Sequence, residues 1–136
     1  LSELYAENIL YHYEHPSNKG VLEDAHIKHT DMNALCGDQV TIYAKVIDGK
    51  ISDIKFQGIG CAISQASASM LTERVKGMEL KRVLEMGQKQ ILEMLGVDTL
   101  SPMRIKCAML ALRTLQKGIL NYLAKSQSPP GNGSVS

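Results

Sequence analysis

The chain has 136 residues, enough for one domain on the usual scale of roughly 100–200 residues each. Apolar residues make up 44%, with no Trp and a single Phe, Phe56, so a core must be built from Leu, Ile, Val, Met and Ala. A net charge of +1 argues against nucleic-acid binding by overall charge, and no apolar run approaches the roughly 18 residues of a membrane span.

Residues 2–14 read as a helix. Ser2 can cap its start, and Leu4, Tyr5, Asn8, Ile9 and His12 follow helical spacing. His15-Pro16 ends it, because a residue before proline is pushed out of the helical region. Three strands follow: a short one around Ala25–Thr30, then Val40–Ile47 and Lys50–Gln57. Val40, Ile42, Ala44 and Val46 share one face of the second strand, and Ile54 and Phe56 share one face of the third. Asp48-Gly49 predicts a two-residue primed turn, so Val40–Gln57 is an antiparallel hairpin.

Gly58-Ile59-Gly60 then permits a sharp turn, and from Cys61 the chain becomes a helix rich in Ala and Ser, ended by Gly77. Small side chains let that helix approach the sheet. Short helices at about 79–86 and 88–95 are each followed by glycine, Gly87 and Gly96, as expected at a C′ position. The last helix starts at a Ser101 cap with Pro102 in its first turn and runs to Lys125. Residues 126–136 are Ser, Gly, Pro and Asn with little else, and read as a disordered tail. The expected fold is α+β, with helices on one face of a three-stranded antiparallel sheet and a single domain over 1–125.

The last acidic residue is Asp98. Beyond it stand Arg104, Lys106, Arg113, Lys117 and Lys125, either a solvated helix face or a docking surface for an acidic partner. The start, Leu1-Ser2-Glu3-Leu4, carries no basic segment followed by an apolar run, so no signal peptide is evident, and a first residue other than Met suggests trimming.

Three cysteines, Cys36, Cys61 and Cys107, are an odd number for a disulfide framework and suit a thiol-reduced, cytoplasmic or organelle-matrix setting. Cys36 lies in Leu35-Cys36-Gly37-Asp38, where Gly37 lets Cys36 and Asp38 face one point. Cys61 stands where a glycine-rich loop enters a helix, whose free amides favour an anionic sulfur. Cys107 projects away from the apolar stripe of the last helix (Ile105, Ala108, Met109, Leu112, Leu115, Ile119, Leu123). The helix N-terminus, Arg104 and Lys106 should favour its thiolate. Three thiolates and Asp38 would make four ligands of the soft set that takes zinc, Cu(I) or an iron–sulfur cluster. Against this stands the ordinary role of a lone cysteine as a small core residue, and the absence of any Cys-x-x-Cys pair. His12 reads as a packed or capping residue. His15, His26 and His29 give no ligand pattern.

At these residues the chain resembles the iron–sulfur cluster assembly scaffold family of the IscU/SufU/NifU N-terminal type, over roughly residues 3–124. The likeness rests on Tyr5-x-x-x-Ile9-x-x-His12-Tyr13-x-x-Pro16-x-Asn18-x-Gly20, on Asn33-Ala34-Leu35-Cys36-Gly37-Asp38, on Phe56-x-Gly58-x-Gly60-Cys61-x-Ile63-Ser64, and on Arg104-Ile105-Lys106-Cys107-Ala108. The resemblance implies that Cys36, Asp38, Cys61 and Cys107 converge at one exposed end. It further implies a carrier rather than an enzyme, on which a [2Fe–2S] cluster is built and passed to apo acceptor proteins. Sulfur would come from a cysteine desulfurase, with Cys107 or Cys36 as first persulfide acceptor. A homodimer could complete the ligand set, and neither nucleic acid nor membrane is an expected partner. Lys106 replaces the histidine of IscU-type proteins, a SufU-type feature, so zinc in the resting form and a zinc-dependent sulfur-transfer role form the alternative. The insertion usual in SufU-type chains is absent, and Leu100-Ser101-Pro102-Met103-Arg104 departs from the segment read by a dedicated chaperone. A purely structural zinc module is the third reading.

Overall fold

The computed structural model describes residues 2–126, with side chains from Glu7 onward. The Ser2 cap and the packing of Leu4 and Tyr5 lie outside the described side chains, and the tail from 127 on lies outside the described residues. The elements run α1 (Ser2–Glu14), β1 (Ile27–Asn33), β2 (Asp38–Ile47), β3 (Lys50–Ile59), α2 (Ala62–Val75), α3 (Leu80–Glu85), α4 (Gln88–Leu95) and α5 (Pro102–Ser126). This is the expected α+β fold.

The sheet is an antiparallel meander in the order β1-β2-β3. The predicted β2–β3 hairpin is present, with Asp48 and Gly49 both at positive φ, 53° and 74°. Val40, Ile42, Ala44, Ile54 and Phe56 are fully buried as their alternation requires, each large one stabilising the fold by about 1.5–3 kcal/mol. Ile51 is also fully buried although it is out of phase with Ile54. The register supplies the reason: Ala44 pairs Ile54 and Lys45 pairs Asp53, but Val46 pairs Ile51. Ser52 is the extra residue of a bulge that turns Ile51 back onto the core face.

The first strand lies further along than predicted, from Ile27 to Asn33 rather than Ala25–Thr30. His26 is taken out of it because its ring Nδ1 accepts the Val46 N–H at 2.8 Å. The strand extends to Asn33 because Asn33 pairs with Asp38, making Ala34–Gly37 the turn of a second hairpin. Cys36 therefore sits in the turn of that hairpin.

Helix α2 packs against α1, α5 and β3, and every residue from Ile63 to Thr72 is buried. Its serines are tolerated there because each finds a partner. Ser64 Oγ donates to the Cys61 carbonyl (3.0 Å), Ser67 Oγ donates to the Ala108 carbonyl (2.7 Å), and Ser69 Oγ accepts from the Ser17 N–H (2.7 Å). Gly96 closes α4 in the left-handed conformation as expected, at φ 79°. Gly87 does not play that part for α3. It is extended, at φ −146°, and forms the N-cap of α4, its N–H held by Gln90 Oε1 at 2.8 Å.

Helix α5 lies across β1 and β2 and against α2. Covered from two sides, it buries a broad face: Cys107, Leu110, Ala111 and Thr114 join the expected Ala108, Leu112, Leu115 and Ile119. Gly118 lets it approach closely, since a Cβ there would lie 2.7 Å from Ile27 Cγ2.

Candidate metal centre

Three elements bring the chemistry together. The β1–β2 turn carries Cys36, its N–H held by the Asn33 carbonyl at 3.2 Å and its successor Gly37 at φ +70°. Asp38 opens β2 and is buried, only 1% exposed. Its Oδ1 accepts the Cys61 N–H at 2.8 Å, and its Oδ2 lies 3.9 Å from Cys61 Sγ. Cys61 is the N-cap of α2, and its sulfur accepts the Ser64 N–H at 3.5 Å, as the free amides of a helix start favour. Cys107 enters from the second turn of α5, its thiol 3.2 Å from Cys36 Sγ.

Ligand atoms of Cys36, Asp38 and Cys107 all lie within 4.8 Å of one another. Tetrahedral zinc with Zn–S bonds of about 2.3 Å sets sulfurs nearly 4 Å apart, so this spacing suits a single ion or the edge of a cluster. Cys61 stands just outside that triad and joins it through Asp38. The sequence expectation that four residues converge thus has a particular form: three close donors, with the fourth linked to them by the carboxylate.

The helical projection of Cys107 does not survive. The residue is 4% exposed and belongs to the main core cluster, because α5 is covered on two sides and its buried face is wider than one stripe. Nor is its thiol acidified. Burial pushes its pKa up, well above the ordinary thiol range, and the adjacent Cys36, Asp38 and Cys61 reinforce the shift. Arg104 and Lys106 are exposed, and their charges do not offset that desolvation.

Asn33 is a contributor that sequence reasoning passed over. Its Nδ2 lies 3.8 Å from Cys107 Sγ. The signal available was its place at the head of the Asn33–Asp38 motif. A second feature is apolar exposure around the site: Leu35 at 71%, Ile59 at 67% and Met103 at 57% each lie within four residues of a cysteine. Among the described residues, no histidine joins the donor group. His12 is packed instead, its Nδ1 2.8 Å from Ser69 Oγ. Asp31, near the same end, is held below the usual carboxylate range mainly by its hydrogen bond from Lys117 at 2.7 Å.

Fold and site together define an α+β domain with a partly buried thiol–carboxylate centre. Residues 4–129 match the family described as NifU-like N terminal domain. The iron–sulfur cluster assembly scaffold protein IscU 1 of Archaeoglobus fulgidus is 38% identical over 123 residues, covering 90% of this chain and 79% of its own length. The zinc-dependent sulfurtransferase SufU of Bacillus subtilis is 36% identical over 136 residues, covering 88% and 91%. A crystal structure of the scaffold protein assigned to the SUF system of Fervidobacterium islandicum AW-1 superposes with a TM-score of 0.75 at 29% identity, covering 86% of this chain and 97% of that one. The chain belongs to the NifU-like N-terminal domain family, which includes IscU and SufU proteins.

Proposed function

We propose that the chain is a scaffold on which an iron–sulfur cluster, [2Fe–2S] in form, is assembled from iron and desulfurase-derived sulfur and then handed to apo acceptor proteins. The observation that carries this reading is the convergence of Cys36, Cys107 and Asp38 within 4.8 Å, with Cys61 adjoining through Asp38. Thiolates hold cluster iron. A single hard carboxylate among them is a poor match for iron–sulfur chemistry, which suits a cargo that must leave. The exposed apolar rim of Leu35, Ile59 and Met103 is a fitting contact for donor and acceptor proteins, because such residues at a site mouth favour association. Since one chain offers three thiolates, Asp38 or a second copy completes the set. The role is that of a carrier, in the cytoplasm or an organelle matrix; among the described residues no helix is long and apolar enough to cross a membrane.

A second reading is favoured by Lys106 before Cys107 and by the Bacillus subtilis relative: zinc-dependent sulfur transfer. Cys36, Asp38, Cys61 and Cys107 would hold the zinc, and the donor set fits it. When bound, zinc would keep the thiols deprotonated at neutral pH.

Reconstitution of anaerobically purified protein with ferrous iron, L-cysteine and a cysteine desulfurase separates the two. Iron and acid-labile sulfide with visible absorption, lost in each Cys→Ser variant, supports the scaffold. One zinc per chain with no iron uptake overturns it in favour of sulfur transfer.

A further inference from the structure

We infer that Asn33 is a positioning residue of the centre: its side-chain amide holds the Cys107 sulfur and draws negative charge from it when that sulfur binds a metal. This rests on the proposed function only in taking Cys107 as a ligand, and it names what steadies that ligand.

Strand β1 delivers the residue. Its alternation turns Ile27, His29, Asp31 and Asn33 toward α5. The contacts run along the pair: Gly118 closes on Ile27 and His29, Lys117 binds Asp31, and Cys107 meets Asn33. Asn33 stands on the last rung of the β1–β2 ladder, opposite Asp38. Its carbonyl accepts the Cys36 N–H at 3.2 Å. Its amide Nδ2 reaches Cys107 Sγ at 3.8 Å. One residue is thus tied to all three close donors, although they stand on a turn, a strand and a helix.

The sulfurs are not served alike. Cys61 Sγ takes the backbone N–H of Ser64 at 3.5 Å, a donor that no substitution short of proline removes. Among the described residues, Asn33 Nδ2 is the one nitrogen donor on the Cys107 sulfur. Cys107 is almost wholly buried, so water offers it little. A buried charge without donors is costly, and an N–H donated to a charged acceptor is among the stronger hydrogen bonds. Such a bond also takes electron density from the sulfur. Sulfur-to-metal charge-transfer bands then lie at higher energy, and hydrogen bonds to sulfur are one of the terms that set a cluster's reduction potential. The carbonyl and the ladder rung of Asn33 persist with any side chain, so the amide can be removed alone. Residue 33 is therefore a control on how firmly Cys107 keeps its metal, separate from Asp38.

The test uses the full apo chain under anaerobic conditions, with Co(II) as the probe. Its readouts are affinity and the energy of the sulfur-to-cobalt bands. Asn33→Leu keeps the bulk without a donor, and Asn33→Ala removes both. Each should bind Co(II) about tenfold more weakly, as expected for one hydrogen bond to a charged group. Each should move the bands to lower energy by the same amount, because the shift follows the donor and not the volume. Met32→Ala, on the exposed face of the same strand, should match wild type in both readouts. Both Asn33 variants should keep the wild-type circular dichroism without metal, and alanine decides the matter should leucine fail to fold. Wild-type band energies in the folded Asn33 variants would overturn the inference. So would a shift in only one of two folded variants, which would assign the effect to packing. A chain that gives the expected cobalt results but assembles no cluster from ferrous iron and sulfide loses the scaffold reading and keeps this one. A wild-type chain without sulfur-to-cobalt bands loses both.

Discussion

Gly60 and Asp38 are fitted to each other. A Cβ on Gly60 would collide with the Asp38 carboxylate and lie 2.8 Å from the Asp38 Cα, and Gly60 itself is at φ +138°. Only glycine leaves room for the carboxylate to reach the Cys61 N–H. Gly60→Ala should therefore displace Asp38 and add backbone strain, lowering stability by about 2–4 kcal/mol in thermal unfolding. Co(II) titration followed by its thiolate charge-transfer bands should show weaker binding in the same variant.

Asp38 accepts a backbone N–H, from Cys61, and in the proposed function it is also an oxygen donor to the cargo. Asp38→Ala loses both and leaves the Cys61 N–H unpaired, a destabilisation of about 1–2 kcal/mol by denaturant unfolding. Asp38→Asn keeps an oxygen for the N–H and should unfold close to wild type. Both variants should hold a cluster longer in air, read from visible absorption over hours. Faster bleaching than wild type would count against the carboxylate as the source of lability.

Cys107 is buried and Cys36 and Cys61 are half-buried, so alkylation of the apo chain by iodoacetamide at neutral pH should label Cys107 last. In denaturant the three should react alike. The sign of the pH effect follows from the raised Cys107 pKa. The folded chain holds that proton where the unfolded chain has released it, so this contribution to stability is fully present below the ordinary thiol pKa of 9.0 and is lost as pH rises through the folded value. Urea midpoints of the apo protein should fall as pH is raised above that range, and Cys107→Ala should remove the trend. Metal occupancy runs the other way and should increase with pH, because binding expels thiol protons.

Gly118→Ala offers a case where helix propensity gives the wrong sign. Alanine is the better helix former by about 1 kcal/mol. Here its methyl would meet Ile27 Cγ2 at 2.7 Å and His29 Cβ at 3.2 Å, both on the facing strand. Overpacking should dominate, with a net loss of about 1–3 kcal/mol and a lower Tm.

Local chemistry was legible where one or two residues decide the backbone. Asp48-Gly49 announced its hairpin, Ser101-Pro102 the start of α5, and the Ser/Ala run the closely packed α2. What depends on a distant partner was not. The bulge at Ser52 exists only in pairing with β2, so nothing near Ile51 revealed that it faces the core. His26 left β1 because of a bond to Val46, twenty residues on. Cys107 was placed outside the core by treating α5 as a one-sided helix, whereas α2 and the sheet cover it together. The convergence of Cys36, Asp38 and Cys107 was legible only through the ordered motifs of a family resemblance, because each residue lies on a different element. Asn33 was visible at the head of its motif, but its contact with Cys107 appears only once β1 lies beside α5.

The Ser67–Ala108 hydrogen bond joins the two cysteine-bearing helices, six residues on from Cys61 and at the residue next to Cys107. Cys61 and Cys107 thus share a single rigid jaw set by helix packing. Cys36 alone is borne on a short lip of chain, and nothing stands within 4 Å of where a side chain at its neighbour Gly37 would begin. An inserted residue between Asn33 and Cys36 would move one sulfur and leave the other two in place. In the proposed scaffold, Cys36 is therefore the sulfur that can move without disturbing the other two.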